Sequence, residues 1–436
     1  MQNLVEDALL RSGIDAEIAH AAAIERRWRI YHGDHRRQLR VKPGQPDDNV
    51  VVNFARVVVD KGVAFLFGSE PRFELDELHE TEAEAWLERV WAQNRKLLLL
   101  QQMALSGAIA GHVFVKIVRE QPIPRLVLLD PATVWVQTRP DDYDAVEVFR
   151  IQFPFVDPAD GRSYVYREVI RRDGAGWAIV AQRSRTGSHA WETLAEETWP
   201  YPWPPIANTQ NLPNPHAFWG VSDLEEDVIR LNDAINFLLS NLLRIVRYHA
   251  HPRTWGRGFT AAQLNVGIDE TIVLPSEHAE LRNLEMQSDL GSSIALYQRL
   301  REALHEITRI PEVATGKVEN LGSLSGVALA ILYQPLLEKT QTKRLTYGTL
   351  LEQLNQRLLE FGGFGADQPV TIHWPPLLPS DFRADAETGL VLQQLGVSQD
   401  TILQRLGFDP EIERQKREYS SADVAERLLE AFDHGH

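Results

Sequence analysis

The sequence predicts an α+β fold in which long helices flank a block of antiparallel sheet. Three observations predict it. Residues 111–200 hold short segments rich in Val, Ile and aromatics, separated by Pro, Gly and Asp. Leu224, Val228, Leu231, Ile235, Leu238, Leu242 and Ile245 recur at helical spacing with no Pro between them. A second long helical pattern opens at Ser325 and runs to about Phe361, and capped helical stretches follow from residue 379.

Residues 1–40 read as helix, ended by the turn signal KPGQPDDN at 42–49. The apolar run of 53–67 stops before Gly68 and Pro71, and an acidic stretch then leads into one long helical pattern through about Ala110. HVFVKIV, RLVLLD, TVWVQ, AVEVFRIQF, SYVYREVI and WAIVAQ supply the strands, and the Pro- and Asn-rich segment 199–220 reads as a loop. Ser222 and Glu225 form an S-x-x-E pattern, which predicts a capping box at a helix start. Asp223, Glu225, Glu226 and Asp227 crowd its first turn, while Arg244 and Arg247 lie near its end, both sets matching the helix dipole. That helix reaches about His249, roughly 40 Å at about 1.5 Å per residue, before Pro252. A small β-containing excursion at 252–290 includes TIVLP and AELRNLEM, and residues 292–310 are helical again. The Gly-containing connection 311–324 reads as a mobile loop. Pro335 inside the following helix removes one backbone donor and predicts a kink.

Composition narrows the function. The chain has 436 residues, 44% apolar and 24% charged, which leaves room for two to four packed units. Its formal charge of −16 argues against a simple DNA-coating protein, which should be basic. The absence of Cys removes disulfides, thiolate catalysis and Cys-based zinc sites together. With only three Met, the chain holds few oxidisable side chains, which fits a thermophilic source. The N-terminus is acidic and too polar for a secretory leader, and no run of about 18 apolar residues predicts a membrane span.

No catalytic constellation emerges. Gly316-Lys317 lacks the Gly and the Ser or Thr of a phosphate loop, because Pro311 and Val318 stand at those places. GGFG at 362–365 follows no strand, and helix breaking explains it better than dinucleotide binding. The pairs His32/His35 (with Asp34) and His249/His251 supply too few metal ligands, and the carboxylates of 70–88 read as a solvated face. The basic stretch HRRQLRVK at 35–42 suits nucleic acid or a neighbouring subunit equally. Long apolar seams with no evident partner element predict packing against copies of the same chain. The residues alone thus support a structural ring or assembly protein. An α+β hydrolase without a recognisable motif, or another ring-forming capsid or adaptor component, is the alternative.

Several motifs together resemble the portal proteins of tailed double-stranded-DNA bacteriophages. They are YHGDH at 31–35, the segment 53–71 with Asn53, Val59, Asp60, Gly68 and Pro71, LDPATVWV at 129–136, and residues 220–243. The closest likeness lies in residues 310–343, with Ser325–Leu329 followed by Lys339 and Lys343. The resemblance implies a phage-portal-like fold, with long stem helices, an antiparallel β-containing wing, a small β clip and a helical crown. It implies a ring, usually of about twelve subunits, at one capsid vertex. Double-stranded DNA enters and leaves through its channel, with no cofactor and no enzyme activity of the ring's own.

Its implied partners are further copies of itself, the terminase large subunit, the major capsid protein or scaffold, and a head–tail adaptor, with no membrane. Mapped on this sequence, residues 1–220 form the wing, 221–251 and 291–310 the stem helices, and 252–290 the clip. Residues 311–324 form the tunnel loop, 325–378 the kinked helix and return to the wing, and 379–436 the crown. The DNA-facing loop residues would be Thr315, Gly316, Lys317, Val318, Glu319, Asn320, Leu321, Gly322, Ser323 and Leu324. Pro335 would be the kink, and Leu231, Ile235, Leu238 and Leu242 the stem packing. A net negative channel would limit tight phosphate contacts and hence friction, leaving Lys317 as the expected basic exception.

Overall fold

The computed structural model describes residues 2–44, 46–75, 81–120, 122–188, 190–250, 254–258, 278–283, 290–315, 326–365, 369–378, 382–406, 408, 410 and 413–414. Helix α1 (Gln2–Tyr31) ends sooner than the sequence suggests, because Gly33 adopts φ +93°. Residues 32–44 and 46–53 then form an arm of two limbs without helix, the returning limb tied to the outgoing one through Asn49. Asn53 caps α2 (Phe54–Phe67) by accepting from the Arg56 N–H.

Strand β1 (Arg72–Glu74) precedes α3 (Glu82–Gln93), which opens on a complete capping box of Thr81 and Glu84. The single helix expected through Ala110 is in fact two. Asn94 caps α3 and Arg95 takes φ +53°, so the chain turns before α4 (Lys96–Ala110). Neither residue is Gly or Pro, so the break left no strong mark in the sequence.

The β block follows. Strands β2 (His112–Val118), β3 (Arg125–Leu129), β4 (Val134–Arg139), β5 (Asp142–Val156), β6 (Ser163–Asp173) and β7 (Gly176–Arg185) occupy the predicted segments. Two more, β8 (Glu192–Trp199) and β9 (Ile206–Gln210), lie where no strand is predicted. β8 is acidic and solvent-exposed along nearly its whole length, so burial patterning could not reveal it. All pairings are antiparallel, in a three-stranded sheet ordered β3-β2-β9 and a five-stranded meander β4-β5-β6-β7-β8. A half-buried contact ties the two: Lys116 Nζ lies 2.5 Å from Glu168, which also accepts from the Tyr166 hydroxyl at 2.9 Å.

Helix α5 (Glu226–Ala250) and α6 (Leu290–Thr308) enclose the excursion, of which the antiparallel pair β10 (Thr254–Arg257) and β11 (Glu280–Asn283) is described. TIVLP falls outside the described residues. After a 3-10 turn (Glu312–Thr315), α7 (Gly326–Phe361) runs for 36 residues with Pro335 inside it. Strand β12 (Thr371–His373) pairs with β1, and α8 (Phe382–Gln394) and α9 (Gln399–Arg405) follow. The last predicted helix lies largely outside the described residues.

The chain divides into two compact units, one of residues 1–68, 97–318 and 335–350, the other of 69–96, 319–334 and 351–436. In the first, Ile30, Ala55, Val59, Ala108, Ile109, Val228, Ile229, Ile235 and Leu304 bring α1, α2, α4, α5 and α6 into one core. In the second, Leu87, Val90, Trp91, Leu354 and Leu358 are buried, and the Trp91 indole donates to Asn355 Oδ1 at 2.8 Å.

Candidate functional site

Helix α5 begins at Glu226, four residues after the predicted start, and the capping box at Ser222 does not form. Ser222 instead donates to the Ala108 and Ile109 carbonyls at 2.9 and 2.8 Å, at the end of α4, and accepts from the Leu224 N–H. These bonds satisfy carbonyls that the end of α4 leaves open. Asp223 is thereby drawn inside the protein rather than left on a solvated first turn. The apolar seam of α5 is also turned inward. Ile235 is fully buried in the core and Leu231 packs against it, while Leu238 and Leu242 are half-buried. The seam expected to meet neighbouring copies therefore packs within the protomer over its first half.

A second row on α5 is polar and buried. Asn232, Asn236 and Ser240 recur every four residues, so they stack along one face. Asn232 Oδ1 accepts from the Ala55 N–H at 3.0 Å, Asn236 Oδ1 from Val52 at 2.8 Å, and Ser240 Oγ from Val50 at 2.9 Å. Asn232 Nδ2 also donates to the Val52 carbonyl at 2.8 Å. The arm thus uses helix side chains where a strand would use a neighbouring strand. Further along, Asp48 pairs with Arg244 at 3.4 Å and with Arg247.

Asp223 is the centre of a buried joint. Lys343 Nζ donates to Asp223 Oδ2 at 2.5 Å, and Lys339 Nζ lies 3.2 Å from Oδ1. The same Lys339 ammonium donates to the Thr308 carbonyl at 3.0 Å, where it meets the negative end of the α6 dipole. Asn211 donates to Asp223 Oδ1 at 3.4 Å and accepts from the Tyr347 hydroxyl at 3.2 Å. Burial pushes the Asp223 carboxyl upward, but the two ammonium groups outweigh it and hold the group at about 2. Burial pushes Lys343 down, opposed by Asp223, and raises Tyr347 well above its ordinary range. Gly62 and Gly107 leave the space this cluster needs: a Cβ at Gly107 would fall 2.1 Å from the Tyr347 oxygen. The joint ties the entry to α5, the end of α6 and the middle of α7 to one carboxylate. The sequence marked Lys339 and Lys343 only through a family likeness, and placed Asp223 at a helix terminus.

The exit from α6 is fixed as well. Arg309 adopts φ +58°, His305 Nδ1 contacts the Ile310 carbonyl at 2.7 Å, and Arg301 pairs with Glu312 at 2.7 Å. Thr315 closes the 3-10 turn, and Gly316 through Leu324 lie outside the described residues. Pro335 sits inside α7 where the helix passes from the second unit into the first.

Of the histidine pairs, the first is engaged by neighbouring side chains. His32 stacks on Trp28, while the buried His35 bonds Asn53 Oδ1 at 3.2 Å and faces Asp233 at 3.5 Å. His251 lies outside the described residues. Among the described residues no group of three or more His, Cys, Asp or Glu is placed to hold a metal ion. The arrangement braces long helices against one another, and its polar groups act as fasteners.

Among solved structures, the chain is similar to one from the virion of a native gene transfer agent (GTA) particle. The two share 14% identity over 85% of this chain and 96% of that chain, with a TM-score of 0.49. It is also similar to a chain of the neck of an empty GTA particle computed with C6 symmetry, at 13% identity, covering 81% of this chain and 89% of that one, with a TM-score of 0.49. A chain of the native GTA neck computed with C12 symmetry matches at 14% identity, 81% and 88% coverage and a TM-score of 0.44. Comparison with curated proteins gives no significant match. Residues 14–424, nearly the whole chain, match the family model described as "Phage portal protein, SPP1 Gp6-like", and the chain belongs to that family of structural proteins.

Proposed function

We propose that copies of this chain close into a ring, of about twelve subunits, at one vertex of a capsid, and that double-stranded DNA passes through its channel during packaging and ejection. The single observation that carries this reading is membership of the portal family across residues 14–424. The α5–α6 pair supports it. Phe237, Leu243 and Val246 on α5, and Ile294, Leu296 and Ile307 on α6, remain 41–51% exposed in the lone protomer. Exposed large apolar side chains along paired helices call for a cover, and adjacent copies supply one.

In this reading residues 1–220 are the wing, α5 and α6 the stem, and 252–290 the clip that meets the terminase large subunit and later the head–tail adaptor. Residues 311–324 are the tunnel loop, with Thr315–Leu324 facing DNA, 325–378 the helix kinked at Pro335, and 379–436 the crown. The capsid protein or scaffold surrounds the wing. ATP hydrolysis belongs to the terminase. No described helix is long and apolar enough to cross a membrane.

Light scattering and electron microscopy of the full chain test the ring: particles with a central hole are expected, and a monomer or dimer under all conditions would sink the reading. Replacing residues 315–322 by a short Gly linker should leave rings intact and change DNA packaging or retention. Unchanged packaging would remove the loop assignment.

A further inference from the structure

The arm of residues 32–53 presents an unusual surface for a chain of formal charge −16. It is held firmly from behind. The α5 row of Asn232, Asn236 and Ser240 grips Val50–Ala55, and Asn49 Oδ1 accepts from the Gln38 and Leu39 N–H groups at 3.0 and 2.8 Å, joining the outgoing limb to the returning one. Of the two carboxylates of the returning limb, Asp48 is buried and takes Arg244 and Arg247, while Asp47 accepts from Asn49 and stays exposed within the field of Arg37. Arg36, Arg37, Arg40 and Lys42 are left exposed, with no ion pair among the described residues. Val41 and Val51, at 39% and 48% exposure, lie among and beside them.

We infer that this strip is a contact surface for a second copy of the same chain, the basic half of a head-to-tail contact around the ring. The inference rests on the ring reading above. Two features favour a protein partner over a phosphate backbone. Exposed Val side chains interleaved with Arg match the core-and-rim composition of protein interfaces, whereas a phosphate track needs no apolar component. Copies that each carry −16 repel one another, so a contact at which the sign reverses locally adds to what the apolar stem faces supply in closing a ring.

The geometry of the stem supplies the opposite side. At about 100° per residue, the row Asn232–Asn236–Ser240 and the seam Leu231–Leu238–Leu242 point about 140° apart on α5. The arm therefore takes a face of α5 distinct from that seam, whose Leu231 and Ile235 share a core with Leu304 of α6. On α6 the helix face away from Leu304 and Thr308 carries Glu302 and Glu306, one turn apart and both exposed. Arg299 shares Glu302 at 3.0 Å, and Glu306 has no ion pair among the described residues. A contact between one copy's arm and the next copy's α6 is heterologous, so it propagates around an axis and can close.

The experiment compares the full-length chain with the variant Arg36→Glu, Arg37→Glu, Arg40→Glu and Lys42→Glu, by mass photometry over a range of protein and salt concentrations. These side chains are exposed, so circular dichroism should not change, nor should the thermal midpoint at protein concentrations where neither chain assembles. The concentration needed for half assembly should rise at least about tenfold at low salt, with the difference shrinking at high salt. Adding Glu302→Arg and Glu306→Arg to the same chain should recover part of the loss. Rings that form as readily as in the unmodified chain would overturn the inference. The same result with weakened binding to a short DNA duplex would reassign the strip to nucleic acid. An unmodified chain that stays monomeric would instead sink the ring reading, and the contact with it.

Discussion

Lys343 Nζ lies 2.5 Å from the carboxylate of Asp223, 120 residues earlier in the chain, and both groups are buried. Removing one member of such a pair strands the other charge in the core. Because Lys339 also sits on this carboxylate, Asp223→Asn strands two ammonium groups and is expected to cost about 3–5 kcal/mol of stability, measured by denaturant unfolding, while Asp223→Leu combined with Lys339→Met and Lys343→Met costs less than Asp223→Asn alone. A triple variant no better than Asp223→Asn would show that the three groups are not the coupled unit described.

The same carboxylate fixes an acid limit. The folded Asp223 is held at about 2 against an ordinary 3.8, so its contribution is complete above about pH 4 and is lost as the pH falls toward 2. Stability of the unmodified chain should decline over that window. Asp223→Asn should flatten the decline, and an unchanged slope would contradict the assignment.

His112 gives the same direction of pH dependence at milder pH, from burial of a neutral ring and not from a salt bridge. Burial holds the folded ring at about 3 against an ordinary 6.5, so the unfolded chain takes up a proton that the folded chain refuses. Stability should fall as the pH drops from about 6.5 toward 3. His112→Gln, which keeps a polar partner for Asn208, should remove that part of the slope.

Gly107 tests the packing of the joint. A methyl group there would lie 2.1 Å from the Tyr347 oxygen and 2.7 Å from Val113 Cγ2. Gly107→Ala should destabilise by about 1–3 kcal/mol, and Tyr347→Phe in the same chain should return part of it.

The arm offers an amide-level check. Asn236→Ala removes the acceptor for the Val52 N–H, at a cost of about 1–3 kcal/mol. Hydrogen exchange at Val52 should accelerate, whereas exchange inside β2 should stay as it is.

What the sequence made legible follows from which forces were local. Strand β2 coincides with its predicted segment because Val113, Phe114, Val115 and Ile117 are buried in a run that only a strand so short could bury. The α5 seam was readable for the same reason, since apolar spacing reports the helix that carries it. The break at Asn94 and Arg95 was not, because a left-handed Arg is selected by its surroundings and not by its own preference. Nothing near Asn232, Asn236 and Ser240 in the chain announced that the backbone of residues 50–55 would cover them. Ser222 and Asp223 fit a helix-start pattern locally and were captured by α4 and α7, which lie more than 100 residues away. The family likeness pointed at Lys339 and Lys343 without saying what they hold.

The rungs from α5 to the arm have one further implication. Each rung joins a side chain at a fixed azimuth to a main-chain group at a fixed height, so turning α5 by a single residue would break all of them together. Any torque transmitted along that rod must therefore carry residues 50–55 as a passenger, and the arm becomes an external pointer to the rod's rotation.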